Sequence, residues 1–305
     1  MIPPATRSAS DALRSRLAGG PPLLLDAALG TELERRGAAG PPPLWSAEAL
    51  LRDPGAVSAL HEAEVAAGAE ILTANTFRTH RRTLAKAGRE RDARFWTQRA
   101  IALAREAARG AARPVFVVGS LSPLEDCYRP ELVPDDAALR AEHGAQADEL
   151  ARAGADAILV ETQNTVRELA AAARAAKATG LPVIASIVTD GAKRLLSGEP
   201  IAAAVDALSK ISPDALAINC VPARALAHDL GALEYAAPGA VIGAYGNVGR
   251  PGPDGSAEQV SPEEYAALAR EWLRAGARLV GGCCGTTSEH TAALRSMLDA
   301  WVGDR

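Results

Sequence analysis

Disulfide-scale cysteine content, long apolar runs, a basic excess and clustered histidines are all missing from this sequence. Cysteine occurs four times in 305 residues, at 127, 220, 283 and 284. That is too sparse for a secreted disulfide scaffold. No apolar run is long enough to span a bilayer, and the opening MIPPATRSASDALRSRLAGGPP lacks the apolar centre of a signal peptide. A cytoplasmic protein with reduced thiols is therefore expected. The formal net charge of −4 offers no field for nucleic acid or an anionic membrane, so neither is expected as a partner. The five histidines, His61, His80, His143, His228 and His290, fall in helical or polar stretches. They are expected at the surface or at helix caps, and their spacing supports no Ser-His-Asp arrangement. The stretch DAALGTELERRG does not match the G-x-G-x-x-G turn of a dinucleotide site.

What is present is a repeating phrase. AAGAEIL (66–72), RAGADAIL (152–159) and RAGARLVG (274–281) each close an Ala/Arg-rich helical stretch with glycine and then begin a short apolar run. Gly68, Gly154 and Gly276 stand where a helix end calls for a left-handed residue. The runs that follow are too short for buried helices and suit strands covered on both faces. Eight such runs occur, at 23–27, 69–74, 115–120, 156–162, 183–188, 215–220, 241–246 and 278–282. Helical patterns separate them, among them 96–110, 138–154 and 262–276. Eight alternations over this length predict an α/β fold, a (β/α)8 TIM barrel, rather than a doubly wound open sheet. No linker-like composition divides the chain, so one domain covering 1–305 is expected. Residues 1–20 read as an N-terminal arm, either loose or a short first helix. The segment 246–259, GNVGRPGPDGSAEQ, reads as a long loop.

In such a barrel the C-terminal ends of the strands form the active face. Those ends carry Asp26, Asn75, Ser120, Glu161, Ser186, Asn219, Cys220, Tyr245, Asn247, Cys283 and Cys284. Neighbouring strand residues point to opposite faces. Cys283 and Cys284 can share one point only if the chain turns there, and Gly281, Gly282 and Gly285 permit a turn. With Cys220 they then offer three thiolates to one centre. Three protein ligands and one open position is a catalytic zinc layout, and thiolates favour zinc over magnesium or calcium. Small buried hydrophobes are the competing reading of the same cysteines. Cys127, in LEDCYRP after the third strand, takes that reading. Asp26 and Glu161 follow strongly apolar runs. They read either as loop or helix-capping acids or as a pair that holds an ammonium group.

The segments LLLDAALGTEL, ILTANTF, VGSLSP, ILVETQNTVRE, AINC and LVGGCCGTT resemble the markers of the zinc-dependent homocysteine S-methyltransferases. The resemblance covers roughly residues 22 to 300. PLWSAEALLRDP at 43–54 is similar to the stand-alone branch that takes methyl from S-methylmethionine or S-adenosylmethionine. The resemblance implies that Cys220, Cys283 and Cys284 bind Zn2+ and that homocysteine sulfur takes the fourth position. It further implies that Asp26 and Glu161 bind the substrate ammonium and that backbone N–H groups at Ala27 and Ala28 take its carboxylate. Asn75, Ser120, Asn219 and Asn247 would line the pocket. Its partners are thus small molecules, homocysteine and a methyl donor; whether the chain is a monomer or a homo-oligomer is not written in any motif. The chain departs from the family pattern at Ala27-Ala28, at Thr73-Ala74 and at Gly246-Asn247-Val248, where donor and substrate would touch.

Three cysteinates give a zinc unit a net charge of −1, which keeps a bound sulfur electron-rich. A histidine-rich site suits water activation better. The ligand set therefore favours alkyl transfer to sulfur over hydrolysis or lyase chemistry. A sulfonium donor, with its methyl held within about 3–3.5 Å of the sulfur, needs no acid because a neutral thioether departs. Betaine, methylfolate or a corrinoid carried by a partner protein are the alternative donors, and another thiol or a selenol the alternative acceptor. A non-catalytic zinc or redox-sensing protein is the rival outside catalysis.

Overall fold

The computed structural model describes residues 4–249 and 259–301. Its eight strands are β1 Leu23–Leu24, β2 Ile71–Ala74, β3 Phe116–Leu121, β4 Ala157–Gln163, β5 Val183–Ile187, β6 Ala215–Pro222, β7 Ile242–Asn247 and β8 Ala277–Gly282. Every neighbouring pair is parallel, and the order β1-β8-β7-β6-β5-β4-β3-β2 is closed by a bridge from Leu25 to Ile71. The result is the expected (β/α)8 barrel, with each anticipated apolar run on a strand. Asn247, expected at the start of a loop, is instead the last residue of β7. The rest of the expected 246–259 loop lies largely in 250–258, outside the described residues.

Between strands run helices α2 Leu29–Arg35, α3 Ala49–Arg52, α4 Pro54–Ala66, α5 Arg81–Ala85, α6 Ala93–Arg109, α7 Asp136–Ala153, α8 Val166–Ala178, α9 Ile201–Ser209, α10 Leu226–Ala236, α11 Pro262–Arg274 and α12 Ser288–Asp299. Their sequences mark where they start. Asp53, Asp135, Thr165 and Ser261 each accept a first-turn backbone N–H, which satisfies a donor that has no partner within the helix. Gly68, Gly154 and Gly276, with φ of 96°, 89° and 97°, end α4, α7 and α11 in the left-handed region, as the repeated phrase predicts. None of the helices among the described residues is long and apolar enough to cross a membrane.

Side chains on the strands alternate between two apolar layers. Leu23, Leu25, Val118, Leu159 and Leu279 fill the barrel interior. Their neighbours Leu24, Val117, Ile158, Val160 and Val280 pack against the helical ring. This period of two is what makes each run apolar throughout.

The amino-terminal segment is not a loose arm. Pro4–Ala18 forms helix α1, and Leu13 and Leu17, one helical turn apart, are buried in the interior layer. Ser10 bonds the Asp156 carbonyl at 2.7 Å, and Arg14 reaches Asp214 at 3.3 Å. Both partners lie just before strands, so α1 closes the barrel at the end opposite the active face. Two histidines also differ from expectation. His61 on α4 and His143 on α7 are fully buried, and the His143 ring lies 3.1 Å from Glu168 on the neighbouring helix α8. His80 and His290 do cap helix starts, and His228 is half exposed.

Candidate active site

The sulfurs of Cys220, Cys283 and Cys284 lie within 4.8 Å of one another, with Cys220 and Cys284 3.7 Å apart. They come from opposite ends of the sequence, and local backbone features bring them together. After β8 the chain makes a turn in which Thr286 N–H bonds Cys283 O at 3.1 Å. Gly285 holds φ of 82° at its third position, where a type II turn needs glycine. A Cβ at Gly285 would stand 1.8 Å from the Val248 carbonyl. The turn is tied to β7 by Cys283 N–H to Gly246 O at 2.8 Å and by Val248 N–H to Cys284 O at 2.9 Å. Adjacent cysteines thus face one centre because the strand stops at Gly282.

Cys220 is presented differently. It has φ of 59°, and Thr162 on β4 has φ of 58°; such values are uncommon outside glycine. Both residues lie within register shifts of their strands, and Asn219 links the two irregularities. Its Oδ1 accepts from Thr162 N–H at 3.0 Å and from Ser186 Oγ at 2.6 Å, and its Nδ2 donates to Thr162 Oγ1 at 2.8 Å. Asn219 is buried scaffold that sets the backbone of the residues on either side of the site.

Its sulfur neighbours Cys220 and Cys284 push the Cys283 thiol well above its ordinary range, and burial adds to that. Cys220 is also raised: its contact with Cys283 lowers it, but Cys284 and burial outweigh that. Three sulfurs so close, one buried and two partly buried, cannot all carry negative charge without a cation. As a donor set they fit a soft divalent metal with one position left for an exogenous ligand.

The sulfurs lie in a cavity of about 950 Å³ at the C-terminal ends of the strands. Asp26 and Glu161 line it too. Glu161 accepts a hydrogen bond from Ser120 Oγ, and its carboxyl is pushed up to about 7 by burial, with the charge of Cys284 adding to the effect. Asp26 accepts from Thr73 N–H at 2.7 Å and from Thr73 Oγ1 at 2.8 Å. Burial raises it well above the carboxylate range, and Glu64 adds to that. Glu64, on α4 behind this turn, accepts from Ala27 N–H at 3.2 Å and from Thr291 Oγ1 at 2.6 Å. No ion pair to Asp26, Glu64 or Glu161 occurs among the described residues. The three acids make a buried carboxyl cluster that burial holds toward the neutral form, and a cationic ligand would favour its ionisation.

The remaining sequence-marked residues take varied places. Ala27 and Ala28 line the cavity, but their N–H groups are engaged, by Glu64 and by Thr286 Oγ1 at 3.2 Å. Asn75 directs its Nδ2 to the Ser46 carbonyl at 2.8 Å, which fixes the segment after Trp45. Asn247 Oδ1 and Tyr245 Oη are buried and make no hydrogen bond among the described residues. Cys127 is buried in the cavity wall. Sequence reading missed Tyr128, Glu64, Thr73 and Thr286. Only Tyr128, next to Cys127 in the loop after β3, carried a signal, since that loop joins the active face.

The homocysteine S-methyltransferase family pattern matches residues 23–298. The homocysteine S-methyltransferase of Escherichia coli strain K12 is 31% identical over 90% of this chain and 94% of its own length. The homocysteine S-methyltransferase YbgG of Bacillus subtilis strain 168 is 29% identical over 88% of this chain and 92% of its own. Among solved structures, the metallated form of the homocysteine methyltransferase MmuM from Escherichia coli superposes with a TM-score of 0.81 at 29% identity, covering 93% of this chain and 99% of that one. The apo form of MmuM superposes with a TM-score of 0.72. With nearly its whole length matched, and with three cysteine sulfurs gathered at the mouth of its barrel, the chain belongs to the homocysteine S-methyltransferase family.

Proposed function

We propose that this protein transfers a methyl group from a sulfonium donor, S-methylmethionine or S-adenosylmethionine, to homocysteine held at a zinc ion, giving methionine. The observation that carries this reading is the convergence of three cysteine sulfurs, one buried and two partly buried, beside two buried carboxyl groups that have no cationic partner among the described residues. Cys220, Cys283 and Cys284 would hold the zinc, which when bound keeps the acceptor thiol deprotonated and electron-rich.

The chain's own groups do the rest. Glu161 and Asp26 receive the homocysteine ammonium, whose charge favours their ionised forms. Ala28 N–H, bonded now to the neutral hydroxyl of Thr286, can exchange that partner for the substrate carboxylate. Ala27 N–H is bonded to the Glu64 carboxyl, which disfavours a second anion there. Asn219 keeps Cys220 and Glu161 in register through Thr162. The cavity volume accommodates two small molecules together, so donor and acceptor can meet in line. Among the described residues lining it there is no histidine. A sulfonium donor needs no acid on its leaving group, which supports that donor class over methylfolate. The reduced thiols suit a cytoplasmic setting.

The test is a donor screen with homocysteine and the zinc-loaded protein, comparing S-methylmethionine, S-adenosylmethionine and betaine. Methionine should form from a sulfonium donor and not from betaine. Turnover with betaine alone would overturn the donor assignment.

A further inference from the structure

A tyrosine outside the strands touches the sulfur set. Tyr128 Oη lies 2.8 Å from Cys220 Sγ, and the ring lines the same cavity. The loop that carries it, after β3, is pinned at several points. Ser122 Oγ bonds the Phe77 carbonyl at 2.6 Å, and Asn164 Nδ2 bonds the Cys127 carbonyl at 3.0 Å. Leu124 N–H bonds Glu168 at 2.8 Å, and Glu168 is in turn 3.1 Å from the buried His143 ring. Tyr128 N–H itself bonds Asp126 Oδ1 at 2.9 Å. At the other end of the contact, the Cys220 backbone is held in its left-handed conformation by the Asn219 bonds described above. Both partners are fixed by their surroundings, so the contact is a built feature of the site.

We propose that Tyr128 is a positioning residue for the sulfur set: its hydroxyl donates a hydrogen bond to Cys220 Sγ, fixing the direction of that sulfur and drawing charge from it. This rests on the reading of Cys220 as a metal ligand. A ligating cysteine has lost its proton, so the phenol is the only group of the pair able to donate, and the bond is charge-assisted. It would hold Cys220 toward the other two sulfurs and moderate the charge that three thiolates place on the ion. Partners of this kind orient ligands and tune the metal.

The test replaces zinc with cobalt(II) in the full-length protein and follows the sulfur-to-cobalt charge-transfer band, with metal affinity measured by chelator competition. Tyr128→Phe removes only the hydroxyl. A thiolate without its hydrogen bond is easier to oxidise, so the band should move to longer wavelength and metal affinity should fall about tenfold. Replacing Tyr128 with 3-fluorotyrosine keeps the ring and strengthens the donor, so the band should move to shorter wavelength. Thermal melts of the metal-free proteins establish that both variants fold. A wild-type protein that binds cobalt with the band, and variants with an unchanged band and affinity, would overturn the role of Tyr128 alone. A wild-type protein without any such band would overturn the metal-ligand reading and the Tyr128 role with it.

Discussion

Gly285 decides whether two neighbouring cysteines can serve one centre. Gly285→Ala places a methyl group against the Val248 carbonyl in a backbone region that favours glycine. The variant should lose most of its metal and melt at a lower temperature, checked by metal analysis and calorimetry. Alanine at Cys220, Cys283 or Cys284 should each bring zinc well below one ion per chain and reduce methyl transfer to background. Glu161 makes a pH prediction. Its folded value, about 7, lies above the ordinary carboxylate range. Its contribution to stability is therefore full below that range and is lost as pH rises through about 7. An ammonium group beside it favours the charged form, so homocysteine binding should release a proton from Glu161 near pH 6.5. Calorimetry in buffers of different ionisation heat should find up to about three-quarters of a proton more released by wild type than by Glu161→Gln; equal release would remove Glu161 from the ammonium site. The cysteine convergence was legible because the three residues mark strand ends and the flanking glycines forecast a turn. The engagement of Ala27 by Glu64 was not, since it depends on a helix residue folding behind the first strand. Tyr128 was legible only as part of a loop on the active face; its contact with Cys220, 92 positions away, was not.

Among the elements, β4 and β6 depend on one another through Asn219. Asn219→Ala would leave Thr162 N–H and the Ser186 hydroxyl without their buried acceptor. A loss of about 1–3 kcal/mol is expected for each group left unsatisfied, together with weaker metal binding because Cys220 loses the support of its conformation. Denaturant melts and metal titration check both. Helix α1 is structural. Leu17→Ala removes a side chain buried in the barrel interior and should cost about 2–5 kcal/mol while leaving zinc content unchanged. All eight strands could be read from sequence because a parallel strand covered on both faces is a short, wholly apolar run. The packing of α1 could not, because Leu13 and Leu17 form only a narrow apolar stripe in a polar segment. His61 and His143 were misplaced for a related reason: composition shows that a stretch is helical but not which of its faces is buried.

At the scale of the whole molecule, barrel closure sets the arrangement. Residues 220, 283 and 284 meet because β6, β7 and β8 are neighbours and all point the same way, so Cys220 near the C-terminal end of β6 and the cysteine pair just past β8 share one rim. The same geometry delivers Asp26 from beside β8 and Glu161 from across the barrel to one cavity. Metal binding to a preformed site should stabilise the entire domain by linkage, so chelation should lower the melting temperature, and zinc should restore it. The central claim is that three cysteine sulfurs hold one zinc and leave a place for the sulfur of homocysteine. X-ray absorption at the zinc edge tests this directly. The account predicts three sulfur neighbours at about 2.3 Å in the zinc-loaded protein and a fourth on adding homocysteine. Fewer than three sulfurs, or a count that homocysteine leaves unchanged, would contradict it.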